Sequence, residues 1–389
     1  MPAEGAPRGF PDAFGEGPAE EDAVLMLACL RGITPRTLHA LAWREGTASG
    51  CVEAIRRGVS GSDNDRACLE SADLAVVRER LVRAGARFAP YGHGDYWPAF
   101  VRLADPPVGV FLRGAPLGDG EDRVAVVGTR RPTALGREVG REIARGLAAS
   151  GVAVVSGGAI GIDAVAHRGA LDAGGRTVAV LGSGIDVDYP RSNERLLVEV
   201  AATGTIVSEY PPGVPAEPHR FPARNRLIAA LSRGVVVVEG AHRSGTRITA
   251  EHAIELGLDV FAVPGPVTSP LAETPLELIR EGARLVRGAE DVLEDLGIVP
   301  VERPEGSAPV GLAEDERTVF EALRTALLPD AVARETGLSM ADAVGALIRL
   351  ELRGLVRGNG GRYERTFAGA RRSSAGRPPP QEGQASGRG

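Results

Sequence analysis

Short apolar runs rich in β-branched residues alternate with stretches of helical periodicity through the middle of the chain. The runs lie at residues 108–112, 124–127, 152–155, 177–181, 205–207, 235–238 and 260–263. Helical patterns separate most of the later runs, at residues 135–149, 164–173, 193–202 and 248–256. Because fully apolar strands that alternate with helices are typical of a parallel sheet covered on both faces, we predict an α/β fold with a doubly wound parallel sheet.

Two smaller helical regions flank this predicted core. Apolar positions at helical spacing over residues 21–87, broken by a turn at 31–35, predict a small domain of the helix-hairpin-helix or SAM-like type. Such a turn binds a DNA phosphate or serves as a plain helical spacer. Residues 312–366 have the spacing of helix, glycine turn, helix and short β-wing, which predicts a winged-helix domain. Acidic residues in this domain favour a partner contact or a structural role over reading of the DNA major groove.

Composition along the chain divides it into six predicted segments. Runs of Pro, Gly and Glu predict disorder at the N-terminus, a linker before the winged helix and a disordered tail. The predicted segments are 1–20, disordered; 21–87, small helical domain; 88–298, sheet core; 299–311, linker; 312–366, winged helix; and 367–389, disordered tail.

Charge and residue usage exclude several classes of protein. The net charge of the 389 residues is −6, so a nucleic-acid surface must be a local patch. All 45 basic residues are arginine, which excludes a Walker A lysine and a Schiff-base lysine. The three cysteines lack CxxC spacing, and no apolar run approaches the length of a membrane span. We therefore expect a cytoplasmic protein with no membrane partner and no metal.

Turns suited to anions follow the predicted strands. In a doubly wound sheet these turns meet at one edge, where glycines allow close approach and a helix N-terminus favours phosphate. The turns are Gly128, Thr129 and Arg130 after the first core strand, Ser156 and Gly157 after the second, and Gly182 and Gly184 after the third. None fits the GxGxxG dinucleotide pattern, so no cofactor is predicted.

Arginines gather in the segment 221–265. Arg224 and Arg226 are two residues apart on a predicted loop, and their charges repel unless an anion or a carboxylate joins them. We predict that both contact phosphate, together with Arg243. Phe221 and Tyr189 are candidate platforms for bases, and because aromatic residues are scarce, binding should depend mainly on phosphates and be sensitive to salt.

At these residues the chain resembles the DprA/Smf family (DNA-processing protein A). The resemblance runs over residues 124–286 through VAVVGTRRPTALG, VVSGGAIGIDAVAH, AVLGSGIDVDYP, SEYPPG, FPARNRLIAALS and SGTRITAEHAIELGLDVFAVPG. It implies a Rossmann-like core that binds single-stranded DNA without strong sequence preference, forms a homodimer and delivers the strand to RecA recombinase. In natural transformation such a protein protects incoming DNA.

The resemblance also implies a set of binding residues. Carried over onto this chain they are Gly128, Arg130, Ser156, Gly157, Gly182, Gly184, Arg224, Asn225, Arg226, Ser244, Gly245 and Thr246. Ile160 stands where many members have arginine, and Ala272 with Glu273 replaces the usual small-residue turn. The apolar stretch 279–286 is a candidate dimer contact.

Two other functions remain open from the sequence. Phosphoribohydrolases of the lysine-decarboxylase-like group cleave nucleoside monophosphates with a Gly-Gly-x-Gly-Thr-x-x-Glu loop. Here Thr249 falls at the position of the catalytic glutamate and Glu251 comes two positions late, so we expect no enzyme activity. A purely structural adaptor acting through its winged helix leaves the arginine-rich loops unexplained.

Overall fold

The computed structural model describes residues 9–118, 120–242, 244–299, 312–323, 325–353 and 355–365. The chain divides into two compact units, one with the N-terminal helices and the central sheet, the other with the C-terminal domain. Arg243 lies outside the described residues, and so do the sequence predictions for 1–8, 300–311 and 367–389.

Five helices form the N-terminal domain. They are α1 Pro18–Ala28, α2 Pro35–Glu45, α3 Ala48–Arg56, α4 Asp63–Ser71 and α5 Leu74–Arg83. Phe10 and Phe14 precede them and are buried among these helices, with their ring centroids 4.4 Å apart. The predicted disorder of residues 1–20 is therefore wrong for 9–20, because two aromatic side chains anchor that segment in the core of the domain.

A nine-stranded sheet follows. Its strands are β1 Ala86–Pro90, β2 Gly109–Gly114, β3 Arg123–Val127, β4 Ala153–Gly157, β5 Thr177–Leu181, β6 Thr205–Ser208, β7 Gly234–Val237, β8 Asp259–Ala262 and β9 Arg284–Leu285. The spatial order is β1-β2-β6-β5-β4-β3-β7-β8-β9. Strands β3 to β9 are parallel, and β2 joins β6 and β1 antiparallel. The predicted doubly wound sheet is confirmed.

Helices cover both faces of this sheet. They are α6 Ala134–Ala149, α7 Ile162–Asp172, α8 Glu194–Thr203, α9 Arg220–Ala230, α10 Gly245–Glu255, α11 Glu273–Arg280 and α12 Ala289–Asp295. Valines on β3, β4 and β7 are fully buried between the helical layers. Since β4 and β7 flank the first core strand β3, the chain reverses its direction of winding there, and ligands of such sheets bind outside the carboxyl ends of these strands.

The sequence did not indicate five of these elements, which are β1, β9, α9, α11 and α12. Strands β1 and β9 lie at the two edges of the sheet, and β1 crosses the predicted domain boundary at 87. Helix α9 replaces the loop predicted for Arg224 and Arg226. Pro222 is its third residue, and the first turn of a helix tolerates proline because its N–H groups have no intrahelical partner.

The C-terminal unit is a winged helix, as predicted. It comprises α13 Glu314–Ala322, α14 Pro329–Thr336, α15 Met340–Leu352 and the β-wing of β10 Val356–Asn359 with β11 Arg362–Arg365. Phe320, Val332 and Leu347 are fully buried at its centre. Across the described parts of both units, every helix is too short or too polar to cross a membrane.

Candidate nucleic-acid interface

The loops that follow β3 and β4 lie directly against each other. Gly161 has a φ of +87°, and a Cβ there would lie 2.4 Å from the carbonyl oxygen of Thr129. The N–H of Ile162, the first residue of α7, donates to that same carbonyl at 3.1 Å. Only glycine fits this approach, so the N-terminus of α7 is fixed beside Arg130.

Arg224 lies beneath the loop after β4. The residue is buried, with 4% of its surface exposed, and a Cβ on Gly157 would lie 2.5 Å from Arg224 Nη2 and 2.4 Å from Asp163 Oδ2. Arg224 Nε donates to Asn225 Oδ1 at 3.2 Å, while Nη1 and Nη2 have no hydrogen-bond partner among the described residues. Burial lowers the pKa of Arg224, Asp163 opposes that shift and nearby Arg130 adds to it, so that the pKa is about 10. The site therefore holds a buried cation with two unused donor groups.

Asp163 is the carboxylate that acts most strongly on the charge of Arg224. It is the second residue of α7 and accepts a bond from the N–H of Ala159 at 3.4 Å, so it secures the loop and is not an N-cap. Burial raises its pKa, and the positive charge of Arg224 opposes that rise. The pair makes no ion pair within 4.0 Å, so Asp163 offsets the charge of Arg224 only in part.

Arg226 does not fit the predicted phosphate contact. All five of its N–H donors are used: Nε by Asp105 Oδ1, Nη1 by Glu209 Oε2 and Ala223 O, and Nη2 by Glu209 Oε1 and Asp105 O, at 2.7–3.2 Å. Burial alone would lower the pKa of Arg226, but Glu209 raises it above its ordinary value. A carboxylate, which was one of the two partners that the sequence allowed, joins this arginine, and no donor remains for phosphate.

The N-terminus of α10 lies close to Arg224 through Asn225. Asn225 Nδ2 donates to the carbonyl oxygen of Gly245 at 3.2 Å. Ser244 is the N-cap residue, and its side chain makes no capping hydrogen bond. Gly245 is exposed, whereas Thr246 is buried. The first turn of α10 therefore presents backbone N–H groups and a positive dipole end at the same edge of the sheet.

Aromatic rings lie on the other side of Arg130. Its guanidinium carbon is 4.8 Å from the centroid of Phe221, and the Tyr189 ring is 5.7 Å from Phe221. Tyr189 is 45% exposed and Arg130 is exposed. A Cβ on Gly182 would lie 2.9 Å from Phe221, so this glycine makes room for the ring. We name the group of Arg130, Gly157, Phe221, Arg224 and Gly245 the strand-end cluster.

Several predicted site residues are structural. Ser156 is buried and donates to the carbonyl oxygen of Val126 at 2.7 Å. Gly184 packs against the loop 211–214, where a Cβ would lie 2.6 Å from the carbonyl oxygen of Pro211. Gly128 packs against Ile162, and the Thr129 hydroxyl accepts from the N–H of Arg131 at 3.2 Å. These residues shape the edge and do not present side chains to a ligand.

Glu239 has a role that the sequence did not reveal. Its carboxylate accepts from the N–H of Thr133 at 3.0 Å and from the Thr133 hydroxyl at 2.6 Å. A Cβ on Gly136 would lie 2.3 Å from the same carboxyl group. Glu239 thus occupies the N-terminus of α6, which is where a dinucleotide phosphate lies in a classical Rossmann fold.

The turn of the N-terminal helical domain contains its own anion. Asp65 Oδ1 accepts from the N–H of Gly32 at 2.7 Å, and Oδ2 accepts from the N–H and hydroxyl of Ser62 at 2.8 and 2.7 Å. Burial alone would raise the pKa of Asp65, but these hydrogen bonds outweigh it and lower the pKa. Of the two roles predicted for this turn, the helical spacer fits the structure, because a carboxylate already occupies the phosphate position.

The proposed phosphoribohydrolase site is not assembled. Thr249 is buried in α10. Glu251 Oε1 is bonded to Nε of Arg247 at 3.0 Å, on the outside of the helix. Neither Thr249 nor Glu251 therefore supplies the glutamate of that loop motif.

Two models of known protein families match this chain. A family model described as DNA recombination-mediator protein A matches residues 87–297. The chain belongs to that family. A second model, the DprA winged helix domain, matches residues 303–362. The resemblance to the DprA/Smf family is confirmed.

Relatives from distant bacteria support the assignment. A putative DNA processing protein DprA of Mycobacterium tuberculosis is 45% identical over 299 residues, which cover 75% of this chain and 74% of that protein. Protein Smf of Escherichia coli is 39% identical over 302 residues, covering 75% and 79%.

Two solved structures share the fold. DNA processing protein A from Streptococcus pneumoniae aligns with a TM-score of 0.57 at 32% identity, over 68% of this chain and 99% of that one. DNA processing protein A from Helicobacter pylori, described with a single-stranded DNA binding mode, aligns with a TM-score of 0.50 at 30% identity, over 55% and 97%. The Rossmann-like core is therefore confirmed.

Proposed function

We propose that this protein binds single-stranded DNA at the strand-end cluster and acts as a binding protein, not an enzyme. The observation that carries the proposal is Arg224, a buried cation whose two terminal nitrogens have no partner among the described residues. An incoming phosphate would receive charge-assisted hydrogen bonds and relieve the unfavourable burial of the charge.

The neighbours of Arg224 suit a nucleic-acid strand better than a lone anion. The exposed N-terminus of α10 offers N–H groups to a second phosphate. Phe221 and Tyr189 offer ring faces to bases, and every base has a face that can stack. Binding should therefore be insensitive to sequence and should prefer single strands, whose bases are unpaired.

The names of the relatives support a proposal for the wider role. They are described as DNA processing proteins, and the Helicobacter pylori protein has a single-stranded DNA binding mode. We propose that this chain protects incoming single strands during natural transformation in the cytoplasm and delivers them to RecA recombinase. We further propose a homodimer through residues 279–286, where β9 is an edge strand with Leu285 half exposed.

The proposal is tested by replacing Arg130 and Arg224 with alanine and measuring binding of a fluorescent oligonucleotide across a salt series. Each variant should lose about 1–3 kcal/mol of binding free energy for every sequence. Each should also lower the slope of log affinity against log salt by about 0.7, the value for one phosphate on a single strand.

Arg334→Ala is the matched control, because that side chain is 76% exposed in the winged helix and its ion pair among the described residues is with Asp330. It should bind as the parent does. Parental affinity and salt slope in both Arg130→Ala and Arg224→Ala would refute the site. Release of free base from AMP or CMP by the parent protein would refute the non-enzymatic assignment.

A further inference from the structure

Helix α15 of the winged helix is apolar on the face that points away from its own core. Ala343, Ala346, Leu347 and Leu350 face the core and are buried. At 3.6 residues per turn the opposite face carries Ala341, Val344, Gly345, Ile348 and Leu352. Leu352 is 83% exposed and Ile348 is 47% exposed. We name these five residues the outer stripe of α15.

The outer stripe is unsuited to DNA. A winged helix that reads bases presents arginine, asparagine or glutamine from the outer face of its second helix to the major groove. No residue of the outer stripe has a polar side chain. A helix that is apolar all round is normally buried against another apolar surface, so the outer stripe indicates a protein contact.

We propose that the outer stripe is a contact between two copies of α15 packed antiparallel. The segments of the chain outside the described residues have no apolar run to cover it: residues 300–311 and 366–389 contain only Val301, Val310 and Phe367 as large apolar residues. The outer stripe has small residues in its first half and large ones in its second. Antiparallel packing sets Ala341 against Leu352 and Gly345 against Ile348 of the second copy. Each large side chain then packs against a small one.

Charge favours the same arrangement. Asp342 and Arg349 lie on one flank of the outer stripe, near its opposite ends, and antiparallel packing brings each beside the other in the second copy. Arg349 uses Nε and Nη2 for Glu316 and Asp315 within its own chain. Its Nη1 lies beside Gly345, 3.2 Å from where a Cβ would be, and has no partner among the described residues. A parallel pair would leave Asp342 and Arg349 of the two copies about two helical turns apart along the axis.

The contact should be weak without a second interface. One helix from each copy buries less than the ~800 Å² per partner of a standard complex. It therefore gains strength when the two copies are already held together, because the second contact is then intramolecular.

Self-association of the full-length protein tests the proposal by sedimentation across a concentration series. Ile348→Glu and Leu352→Glu place a charge in the contact and should weaken the association that α15 mediates at least about tenfold. The control is Leu328→Glu, an exposed apolar position in the same domain outside the outer stripe, which should associate as the parent does. All three should keep the parental affinity for single-stranded DNA and the parental melting temperature, which separates this test from the DNA-binding proposal.

Disulfide trapping tests the direction. Chains carrying Ala341→Cys mixed with chains carrying Leu352→Cys should cross-link under mild oxidation, because antiparallel packing places these Cα atoms within the ~4–7 Å that a disulfide spans. Neither variant alone should cross-link above the parent, whose three native cysteines are the background. Cross-linking of Leu352→Cys alone, or parental association in both glutamate variants, would overturn the proposal.

Discussion

Two turns of this protein differ in one respect: the first holds a carboxylate of the protein itself, and the second has none among the described residues. In the N-terminal domain, Asp65 occupies the turn at Gly32. At the carboxyl edge of the core sheet, the first turn of α10 and the terminal nitrogens of Arg224 have no carboxylate partner among the described residues. The local chain geometry suits phosphate in both places. The two turns differ in whether a carboxylate of the protein itself fills the anion position. That carboxylate can lie far away in the sequence, so a local sequence motif does not predict it.

The same contrast separates two arginines on α9. Arg226 is enclosed by Glu209 and Asp105, whereas Arg224 has Asp163 nearby without an ion pair. One guanidinium therefore stabilises the fold and the other is available to a ligand. The predictions below test this division, beginning with the largest expected effect.

Arg226→Ala should destabilise the protein by about 3–5 kcal/mol, because it leaves Glu209 without its buried partner. Denaturant titration at neutral pH would measure the loss. Arg224→Ala is the matched comparison on the same helix and should reduce stability far less while reducing DNA affinity. A stable Arg226→Ala protein with lost DNA binding would reverse the roles assigned to the two residues.

Stability should also depend on pH through His167, which lies beneath the loop after β4. Its Nε2 faces the carbonyl oxygen of Gly157 at 2.9 Å, and burial lowers the pKa of His167 to about 4. Below the ordinary pKa of 6.5 the unfolded chain binds a proton that the folded chain does not. Unfolding free energy should therefore fall by about 3 kcal/mol between pH 6.5 and pH 4.

This pH dependence of stability can be checked by denaturant titration of the parent and of His167→Gln at several pH values. The variant should show a shallower fall over that range, whatever its stability at pH 7. His219→Gln replaces an exposed histidine and should keep the parental slope. A parental slope in His167→Gln would contradict the assignment.

Phe221→Ala separates base stacking from phosphate contact within the strand-end cluster. Loss of one stacking platform should cost about 1–3 kcal/mol of single-strand affinity. The salt slope should stay at the parental value, since no phosphate contact is removed. An unchanged affinity in fluorescence titrations would remove Phe221 from the site.

The smallest effect is expected in the N-terminal turn. Arg31 is exposed beside the turn that Asp65 already fills. Arg31→Ala should change single-strand affinity by less than about 0.5 kcal/mol, the usual range for surface substitutions. A loss comparable to that of Arg224→Ala would show that the turn contacts DNA despite Asp65.

Much of the architecture was predictable because it depends on local periodicity. The alternation of valine-rich runs with helical segments placed the core strands within a residue or two of their bounds, and the turn residues after them do meet at one edge. Arg130 and Phe221, two of the predicted site residues, are in contact at that edge.

What could not be predicted depends on distant partners. Asp105 lies 121 residues from Arg226, and Glu239 lies 106 residues from the Thr133 that it holds. Helix α9 was not predicted because Pro222 and three arginines interrupt the apolar pattern that a helix normally shows in the sequence. Strand β9 has two exposed residues and no apolar pattern, so only its pairing with β8 defines it.

Strand β1 has a practical consequence for deletion analysis. It pairs with β2 from Ala86 opposite Arg113 to Pro90 opposite Gly109, and its Phe88 ring fills the space over Gly109. A truncated protein that begins beyond Pro90 would expose the backbone of β2 as an open strand edge, which is a template for aggregation. Loss of activity after such a deletion would then report intermolecular strand pairing and not a function of the N-terminal helices.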